Sequence, residues 1–350
     1  MSLTIRIKPR GRAIGALVAV ALATTLAACS SSGAGTPSAS ETGSAPESTS
    51  AMTPIHVNFG YIGDFNGTSL LAIADKEGIW AKHGLDVTTS VFTNGPLQIQ
   101  AIGTGDLDFG YIGPGAFWLP MSGQSKIVML NTLTVADRVI AQPGITSIQD
   151  LRGKTVGYPE GTSGDMILTL ALQSVGMTKD DIEAIAMDAA TLVPAFSAGQ
   201  VDAAAIWYPA ISTIKTSVPN LVELAKNSDF QDVMAFATAF VAGNDVVAND
   251  TEKVTRTLAA LKEAMQWRTD NPDEAIQQTA DMLGLDAKAV AADAANQQIL
   301  SPDEVTTWTT DGTVDRWMTA MGAFFVSGGK LTSNPDLSTY YTGDLFVAAK

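Results

Sequence analysis

The chain has 350 residues, 46% of them hydrophobic, and a formal net charge of −15. Nucleic-acid binding needs a basic surface, so this charge disfavours that class of protein and also direct contact with anionic lipid. A single cysteine excludes an internal disulfide bond. Only two histidines occur, His56 and His83, and we expect no metal and no cofactor. A chain of this length holds one large or two ordinary domains.

The N-terminal segment has the layout of a secretion signal. Basic residues at positions 6, 8, 10 and 12 precede an apolar stretch, and the only cysteine, Cys29, follows Leu26-Ala27-Ala28. This tetrapeptide resembles the bacterial lipobox, whose cysteine is lipidated and becomes the new N-terminus. We predict a signal peptide at 1–28 and a lipidated, flexible stalk at 29–53. The alternative is a plain signal peptide with a stray cysteine.

Such an anchor places the protein outside the cell, held at the cell membrane by acyl chains. The expected partners are therefore the membrane, through the lipid, and any membrane protein that the folded body serves. We expect a monomer that binds no nucleic acid.

From Pro54 onward, segments typical of strands and helices alternate, which predicts α/β architecture with parallel sheets covered by helices. In the first half the predicted strands are 55–62, 85–92, 107–112 and 126–132, and the helices are 69–82 and 95–103. The pattern repeats with strands at 155–158, 184–187 and 201–207 and helices at 161–175 and 192–198.

The last third is predicted to be helical. Asn271 and Pro272 open one helix as cap and first-turn proline, and Gly284 ends it. Ser301 and Glu304 form a capping box for the next helix. An apolar stripe between Val314 and Phe325 marks another helix, which stops at Gly328.

The two α/β repeats predict two lobes joined by a two-segment hinge. We place the crossings near 136–142 and 236–243, which gives lobe one at 54–138 and 237–350 and lobe two at 139–236. The space between two such lobes is the expected ligand site.

Several segments of the body, in order and at matching spacing, resemble the sulfonate-, taurine- and nitrate-binding subfamily of ABC-transporter solute-binding proteins. They are residues 71–80, 82–87, 105–110, 150–156, 161–163, 195–204 and 207–209. The resemblance implies the type II periplasmic-binding-protein fold. It also implies delivery of a small solute to the permease subunits of an ABC importer.

Open α/β sheets bind ligands beyond the carboxyl ends of their strands, where free N–H groups at helix starts donate hydrogen bonds to anions. The candidate ligand-binding residues there are Asn66, Thr68, Asn94, Gly95, Gly113, Pro114, Gly161, Thr162 and Ser163. The resemblance places anion-binding hydroxyls at Thr162 and Ser163. Phe65, Trp207 and Tyr208 are candidates for the organic part of the ligand.

Two acidic positions limit the choice of ligand. Asp165 stands near a position at which many sulfonate-binding members have histidine, and Glu160 precedes the motif. Asp165, or Asp64 from lobe one, is expected to bind a ligand ammonium, as in taurine. The leading prediction is a sulfonate- or taurine-like anion. The alternatives are nitrate and a heterocyclic vitamin precursor of the pyrimidine/thiamine or flavin type.

Two other classes of function compete with uptake. The fold implied by the resemblance is shared with a pyrimidine synthase family that needs a cofactor lysine and a reactive histidine; export and the shortage of histidines argue against an enzyme. A ligand sensor for a surface partner would have an identical sequence pattern, and copurification with a permease would separate the two.

Overall fold

Two β-sheets organise the protein, and each is built from short apolar strands that alternate with helices. The computed structural model describes residues 53–232 and 234–350. The predicted signal peptide, the lipidation site Cys29 and nearly all of the stalk lie outside these residues.

Sheet one has six strands in the spatial order β11-β4-β10-β3-β1-β2. β1 is parallel to β2 and β3, whereas β10 runs antiparallel to β3 and β4, and β11 antiparallel to β4. The strands are β1 Ile55–Ile62, β2 Leu85–Phe92, β3 Phe109–Ile112, β4 Lys126–Thr134, β10 Ala237–Ala242 and β11 Gln297–Ile299.

Sheet two has five strands in the order β7-β6-β8-β5-β9. β6 is parallel to β7 and β8, and β5 runs antiparallel to β8 and β9. The strands are β5 Asp137–Ala141, β6 Thr155–Tyr158, β7 Glu183–Ala186, β8 Ala203–Trp207 and β9 Val222–Lys226.

The chain thus passes from sheet one to sheet two between β4 and β5 and returns between β9 and β10. The first passage takes only residues 135–136, and the second takes 227–236. The lobe boundary predicted after residue 138 therefore falls inside β5, and the one predicted after residue 236 directly precedes β10.

Helices cover both sheets and make up the C-terminal third. They are α1 Phe65–Lys76, α2 Ile79–Lys82, α3 Gly95–Thr104, α4 Trp118–Met121, α5 Ser163–Ser174, α6 Ala189–Ser197, α7 Ala210–Ser217, α8 Asn244–Asn249, α9 Thr251–Asp270, α10 Pro272–Leu283, α11 Ala287–Ala294, α12 Pro302–Thr310, α13 Thr313–Ser327 and α14 Gly343–Ala348. Short 3₁₀ turns occupy Pro114–Ala116, Ile148–Leu151, Lys179–Asp181, Asn227–Phe230 and Leu337–Thr339.

Most of the capping signals read from the sequence are confirmed in the C-terminal helices. The exception is Asn271, whose side chain makes no capping bond to α10 and donates to the Trp267 carbonyl over 2.9 Å instead. Pro272 opens α10, and Gly284 ends it in the left-handed conformation with φ of 64°. At α12 the Glu304 N–H donates to Ser301 Oγ over 3.3 Å, while the Ser301 N–H donates to Glu304 Oε2 over 2.8 Å. These reciprocal bonds satisfy two helix-end donors that would otherwise lack partners.

The prediction of a single helix at 69–82 is wrong. The segment breaks at Gly78, whose φ of 68° is left-handed, into α1 and the short α2. α1 also begins four residues earlier than predicted, because the Asp64 carboxylate accepts the Gly67 N–H and caps the helix. The polar segment before the predicted helix start therefore forms the buried first turn of α1.

The core of sheet one centres on three phenylalanines. The rings of Phe59 and Phe109 stack at 5.5 Å, and Phe240 meets Phe59 edge-on at 5.5 Å. All three side chains are fully buried, and each contributes about 1.5–3 kcal/mol of transfer free energy. Sheet two adds a cluster of its own around Ile140, Phe196 and Ile206. In the part of the chain that the structure describes, no helix is long and apolar enough to span a bilayer.

Candidate functional site

A cleft lies between the two sheets and takes its walls from both. From the side of sheet one it is lined by Ile62, Asp64, Asn66, Asn94, Gly95, Tyr111, Gly113, Pro114, Ala116, Thr134, Thr238 and Gln297. Ala136, in the first passage between the sheets, also lines it, and from the side of sheet two come Asp137, Thr162, Ser163, Trp207 and Tyr208.

Strand ends bring these residues together. Asp64, Asn94 and Gly113 each follow the carboxyl end of a strand in sheet one, namely β1, β2 and β3. Trp207 is the last residue of β8, and Ser163 begins α5 after β6. The cleft therefore sits where ligands bind in open α/β sheets.

Asp64 is a buried carboxylate at the start of α1. Its Oδ1 accepts the Gly67 N–H over 2.7 Å, and Asp293 accepts the neighbouring Phe65 N–H over 2.7 Å. Burial raises the pKa of Asp64 well above its usual value, and the charge of Asp293 raises it further. The first turn of α1 is thus already supplied with two carboxylates, which leaves little reason for an external anion to bind there.

Asp137, the first residue of β5, presents a second carboxylate to the cleft. Its Oδ2 accepts from the Asn227 side chain over 2.9 Å, while Oδ1 is buried and lacks a hydrogen-bond partner. Burial raises the pKa of Asp137, against the lowering effects of nearby Ser163 and Asn227 and of the Arg138 charge. An unpaired buried acceptor costs about 1–3 kcal/mol, so Oδ1 can accept from a ligand or from the Ser163 side chain, whose hydrogen bond to Asp137 lowers the carboxyl pKa.

No lysine or arginine lines the cleft within residues 53–232 and 234–350. The guanidinium of Arg138 lies close by but is occupied by Glu223 Oε2 at 3.0 Å and Asn296 Oδ1 at 2.9 Å. Arg268, fully buried, donates to Ser69 Oγ and the Asn131 carbonyl instead. The carboxyl groups of Asp64 and Asp137 therefore face the cleft with no lysine or arginine among its described lining residues.

Aromatic rings supply the apolar surface of the cleft. Trp207 and Tyr208 stand at the end of β8, and Tyr111 enters from β3. Tyr208 is held in place by Lys215 Nζ, which donates to its hydroxyl over 2.7 Å, and by the Arg138 guanidinium 5.5 Å from its ring centroid. Trp207 and Tyr208 are half-buried, whereas Tyr111 is buried and packs against Phe240.

Most of the residues predicted as ligand-binding line this cleft, but four do not. Phe65 packs against Ala280 and Val290 in a small cluster under α10 and α11. Thr68 is fully buried, and its hydroxyl donates to the Ile62 carbonyl over 3.1 Å. Gly161 and Asp165 line a separate cavity on the far side of Thr162.

Asp165 is occupied by protein groups. Its Oδ2 accepts the Gly161 N–H over 2.9 Å, and its Oδ1 forms an ion pair with Lys179. Lys330 approaches the same carboxylate at 3.6 Å. The predicted contact between Asp165 and a ligand ammonium in the cleft therefore has no support in this arrangement.

Sequence reasoning missed Asp137, Tyr111, Thr238 and Gln297. Asp137 lay inside a predicted crossing between the lobes, so an acidic residue at a hinge was the available signal. Tyr111 and Thr238 read as ordinary strand residues, and Gln297 enters only because β11 pairs with β4 far away in sequence.

The two sides of the cleft touch. A Cβ placed on Gly115 would lie 2.0 Å from the Thr162 carbonyl oxygen, so only glycine allows this approach. Trp118 Nε1 donates to the Gly161 carbonyl over 3.4 Å, and Asn296 meets Arg138 across the same divide. Among the described residues, no group of three His, Cys, Asp or Glu side chains could hold a metal ion.

Two sheets with a polar, aromatic cleft between them define a two-sided ligand-binding architecture. The family model described as NMT1/THI5 like matches residues 67–275, and the chain belongs to this family. A protein of Brucella abortus (strain 2308), named as a candidate binding protein without a ligand, is 51% identical over 294 residues, 84% of this chain and 92% of its own length.

More distant relatives carry names that state a ligand. The taurine-binding periplasmic protein of Escherichia coli (strain K12) is 21% identical, covering 79% of this chain and 88% of its own. The structure of the alkanesulfonate-binding protein SsuA from Xanthomonas axonopodis pv. citri, bound to MOPS, aligns with a TM-score of 0.67 at 20% identity, over 83% of this chain and 99% of its own.

The predicted periplasmic-binding-protein fold is confirmed by this similarity. The same fold is shared with the desulfurization enzyme DSZB, at a TM-score of 0.60 and 14% identity over 83% of this chain and 97% of its own. The fold alone therefore does not distinguish a binding protein from an enzyme, and the distinction depends on the residues of the cleft.

Proposed function

We propose that the protein is the extracytoplasmic ligand-binding subunit of an ABC importer, anchored to the cell membrane through Cys29. The family, the binding proteins among its relatives and the secretion-type N-terminus support this role. The protein acts without catalysis and without a cofactor: it captures a small organic molecule and presents it to the permease.

The ligand, on this proposal, carries N–H donors or a positive charge. The unpaired Oδ1 of Asp137 carries this argument, since a buried acceptor without a partner favours a ligand that supplies one. Asp64 adds a second carboxylate to the same cleft. A bare sulfonate or nitrate would face both groups with no lysine or arginine among the described lining residues to offset them.

The aromatic walls favour a planar ligand. Trp207, Tyr208 and Tyr111 contribute aromatic rings to the cleft wall. The carboxyl groups of Asp137 and Asp64 accept hydrogen bonds from exocyclic amino groups at the edge of the ligand. Together these features favour an amino-heterocycle of the pyrimidine/thiamine or flavin type over the sulfonate that the sequence resemblance suggests.

A taurine-like aminosulfonate is the second candidate. Ser163 and Gly95 are the first residues of α5 and α3, and both line the cleft. Free N–H groups of these helix starts suit a sulfonate, and Asp64 or Asp137 suits the ammonium at the other end of the molecule.

Capture works by closure. We propose that the sheet-one side and the sheet-two side move as two lobes about the two passages between the sheets. The predicted bounds, 54–138 with 237–350 and 139–236, are then shifted so that β5 stays whole, with Asp137 and Arg138 in lobe two. A ligand that touches both walls binds the closed form more tightly and shifts the equilibrium toward it.

Thermal unfolding against a ligand panel tests this function. The panel contains an aminopyrimidine thiamine precursor, a flavin precursor, taurine, an alkanesulfonate and nitrate. Ligand at about 100 times its dissociation constant adds about 2.7 kcal/mol of stability, a readily measured shift. We expect the amino-heterocycles to raise the melting temperature and the alkanesulfonate and nitrate to leave it unchanged.

A shift with the alkanesulfonate alone would overturn the choice of ligand and restore the anion. A shift with taurine but not with the alkanesulfonate would select the second candidate. Turnover of any ligand during incubation would overturn the transport role itself.

A further inference from the structure

A second cavity lies at the seam between the two sides of the molecule, on the far side of Thr162 from the cleft. Its volume is about 160 Å³. Trp118 and Phe324 line it from the side of sheet one, and Met166 and Met177 from the side of sheet two. A cavity of about 150 Å³ with apolar walls holds a benzene ring in other proteins, so this one has room for a small aromatic molecule.

Two ammonium groups and the Asp165 carboxylate line the seam cavity, which leaves one net positive charge among its lining residues. Lys179 Nζ pairs with Asp165 and lies 4.3 Å from the centroid of the Tyr158 ring. Lys330 Nζ lies 5.6 Å from the centroid of the Trp118 ring, 3.2 Å from Glu160 and 3.6 Å from Asp165. The Asp165 side chain is 8% exposed.

Of the two lysines, Lys330 forms the weaker ion pairs. Its carboxylate neighbours lie at the long end of ion-pair distances, and Glu160 has a side chain that is 60% exposed. A solvent-exposed ion pair of this kind contributes about 0–1 kcal/mol, so an incoming anion can replace Glu160 at little cost. The anion would then sit over the apolar walls of the cavity.

We infer that this seam cavity is a second ligand site, which takes a small aromatic molecule bearing one sulfonate or carboxylate. The ring packs among Trp118, Met166, Met177 and Phe324, and the anionic group pairs with Lys330 and Lys179. The chemistry is opposite to that of the cleft, where the facing groups are carboxyl groups. The site stands on its own contacts and does not depend on the ligand proposed for the cleft.

Occupation of the seam cavity couples to closure. Both sides of the molecule contribute walls, so an occupant touches all of them only when the sides are together. Such a ligand binds the closed form preferentially. By linkage, the seam ligand increases the affinity of the cleft for its ligand by the same factor by which the cleft ligand increases the affinity of the seam cavity.

The test uses the full chain labelled with ¹³C at the methionine methyl groups and titrated with benzenesulfonate. We expect the Met166 and Met177 methyl signals, assigned by Met→Leu variants, to shift in a saturable way. Benzylamine, of similar size and opposite charge, should bind at least about tenfold more weakly, because the two ammonium groups outnumber the single Asp165 carboxylate, which is already paired with both of them. Equal binding of the two probes, or no shift of these methyls, would overturn the proposal.

Two variants locate the site. Lys330→Gln should weaken benzenesulfonate about tenfold, whereas Asp137→Asn, in the cleft, should leave the Met166 and Met177 titration unchanged. The opposite pattern would place benzenesulfonate in the cleft and refute a second site. Neither result depends on whether the importer ligand is an amino-heterocycle, so the two proposals fail separately.

Discussion

At the scale of single residues, Asp137 decides what the cleft can recognise. Replacing it by Asn keeps the shape of the side chain but removes the charge that faces the cleft. We expect an amino-heterocycle to bind at least about tenfold more weakly, because a hydrogen bond to a charged group is worth about 1.5–3 kcal/mol. Isothermal titration calorimetry measures the loss.

Asp202→Asn is the matched control for this variant. Asp202 also belongs to the sheet-two side, and its carboxylate accepts the Thr155 N–H over 2.9 Å, but it lies outside the cleft. Its replacement should leave the affinity unchanged. Equal losses in both variants would mean that Asp137 contributes through the fold and not through the ligand.

Asp293 gives the stability of the protein a pH dependence. Burial raises its pKa to about 7, although the Phe65 N–H and Gln297 hydrogen bonds act in the opposite direction. The folded protein therefore holds a proton between about pH 4 and pH 7 that the unfolded chain releases. The contribution of Asp293 to the free energy of unfolding should fall as the pH rises through this range and level off above it.

Asp293→Asn should flatten this fall in urea titrations between pH 4.5 and pH 7.5. The variant also removes a charge that raises the pKa of Asp64. Part of the pH dependence that Asp64 gives to the free energy of unfolding is therefore lost as well. Asp336→Asn is the control, since hydrogen bonds from Ser338 lower the pKa of that exposed carboxylate. Identical slopes in the wild type and Asp293→Asn would contradict this account.

At the scale of elements, substitution of two exposed glycines tests why the predicted helix breaks at Gly78. Gly78 has a left-handed backbone conformation, and Gly103 has a helical one. A Cβ at Gly78 or Gly103 would meet nothing within 4 Å, but Gly78 has φ of 68° whereas Gly103 lies inside α3. Gly78→Ala should therefore cost about 1–2 kcal/mol, and Gly103→Ala should gain about 0.5 kcal/mol. Urea denaturation measures both, and a destabilised Gly103→Ala protein would contradict the argument.

Local signals predicted the elements well wherever they did not depend on distant contacts. The bounds of β1 and β2 and the caps of α10 and α12 followed from apolar runs and from Pro, Ser and Glu at fixed positions. The start of α1 was missed because the apolar periodicity begins only at Leu70. The cap at Asp64 was the better signal, and it accepts the Gly67 N–H.

The cleft was less accessible to sequence reasoning. Residues that follow strands, such as Asn94 and Gly113, could be placed because every parallel strand ends at the same edge. Asp137 reaches the cleft only because β5 pairs with β8 and β9, some 70–90 residues later in the chain. No local pattern carries that information, so sequence reasoning did not place the Asp137 carboxyl group in the cleft.

At the scale of the whole molecule, we expect contacts between the two sides of the cleft to determine whether the cleft is open or closed. Gly115 presses on the backbone of Thr162, Trp118 bonds to Gly161, and Arg138 bonds to Asn296. Each contact joins a residue on the sheet-one side to one on the sheet-two side. If the two sides close on a ligand as proposed, these contacts form on closure, and a residue that prevents one of them should favour the open form.

Gly115→Ala is the sharpest test of closure. The added Cβ would lie 2.0 Å from the Thr162 carbonyl oxygen and 2.3 Å from the Ser163 nitrogen, both backbone atoms that cannot rotate away. Stability should change little, because nothing within either side is disturbed. Affinity for the cleft ligand should fall by about tenfold or more, since binding must now work against a forced separation.

Small-angle X-ray scattering with saturating ligand gives the readout. Wild-type protein should become more compact on binding, and Gly115→Ala should not. Gly113→Ala is the control, because its Cβ would meet only the Ser163 side chain, at 3.7 Å, an ordinary contact. That variant should close like the wild type even if its affinity changes. A Gly115→Ala protein that compacts as fully as the wild type would show that the Gly115–Thr162 contact does not limit closure.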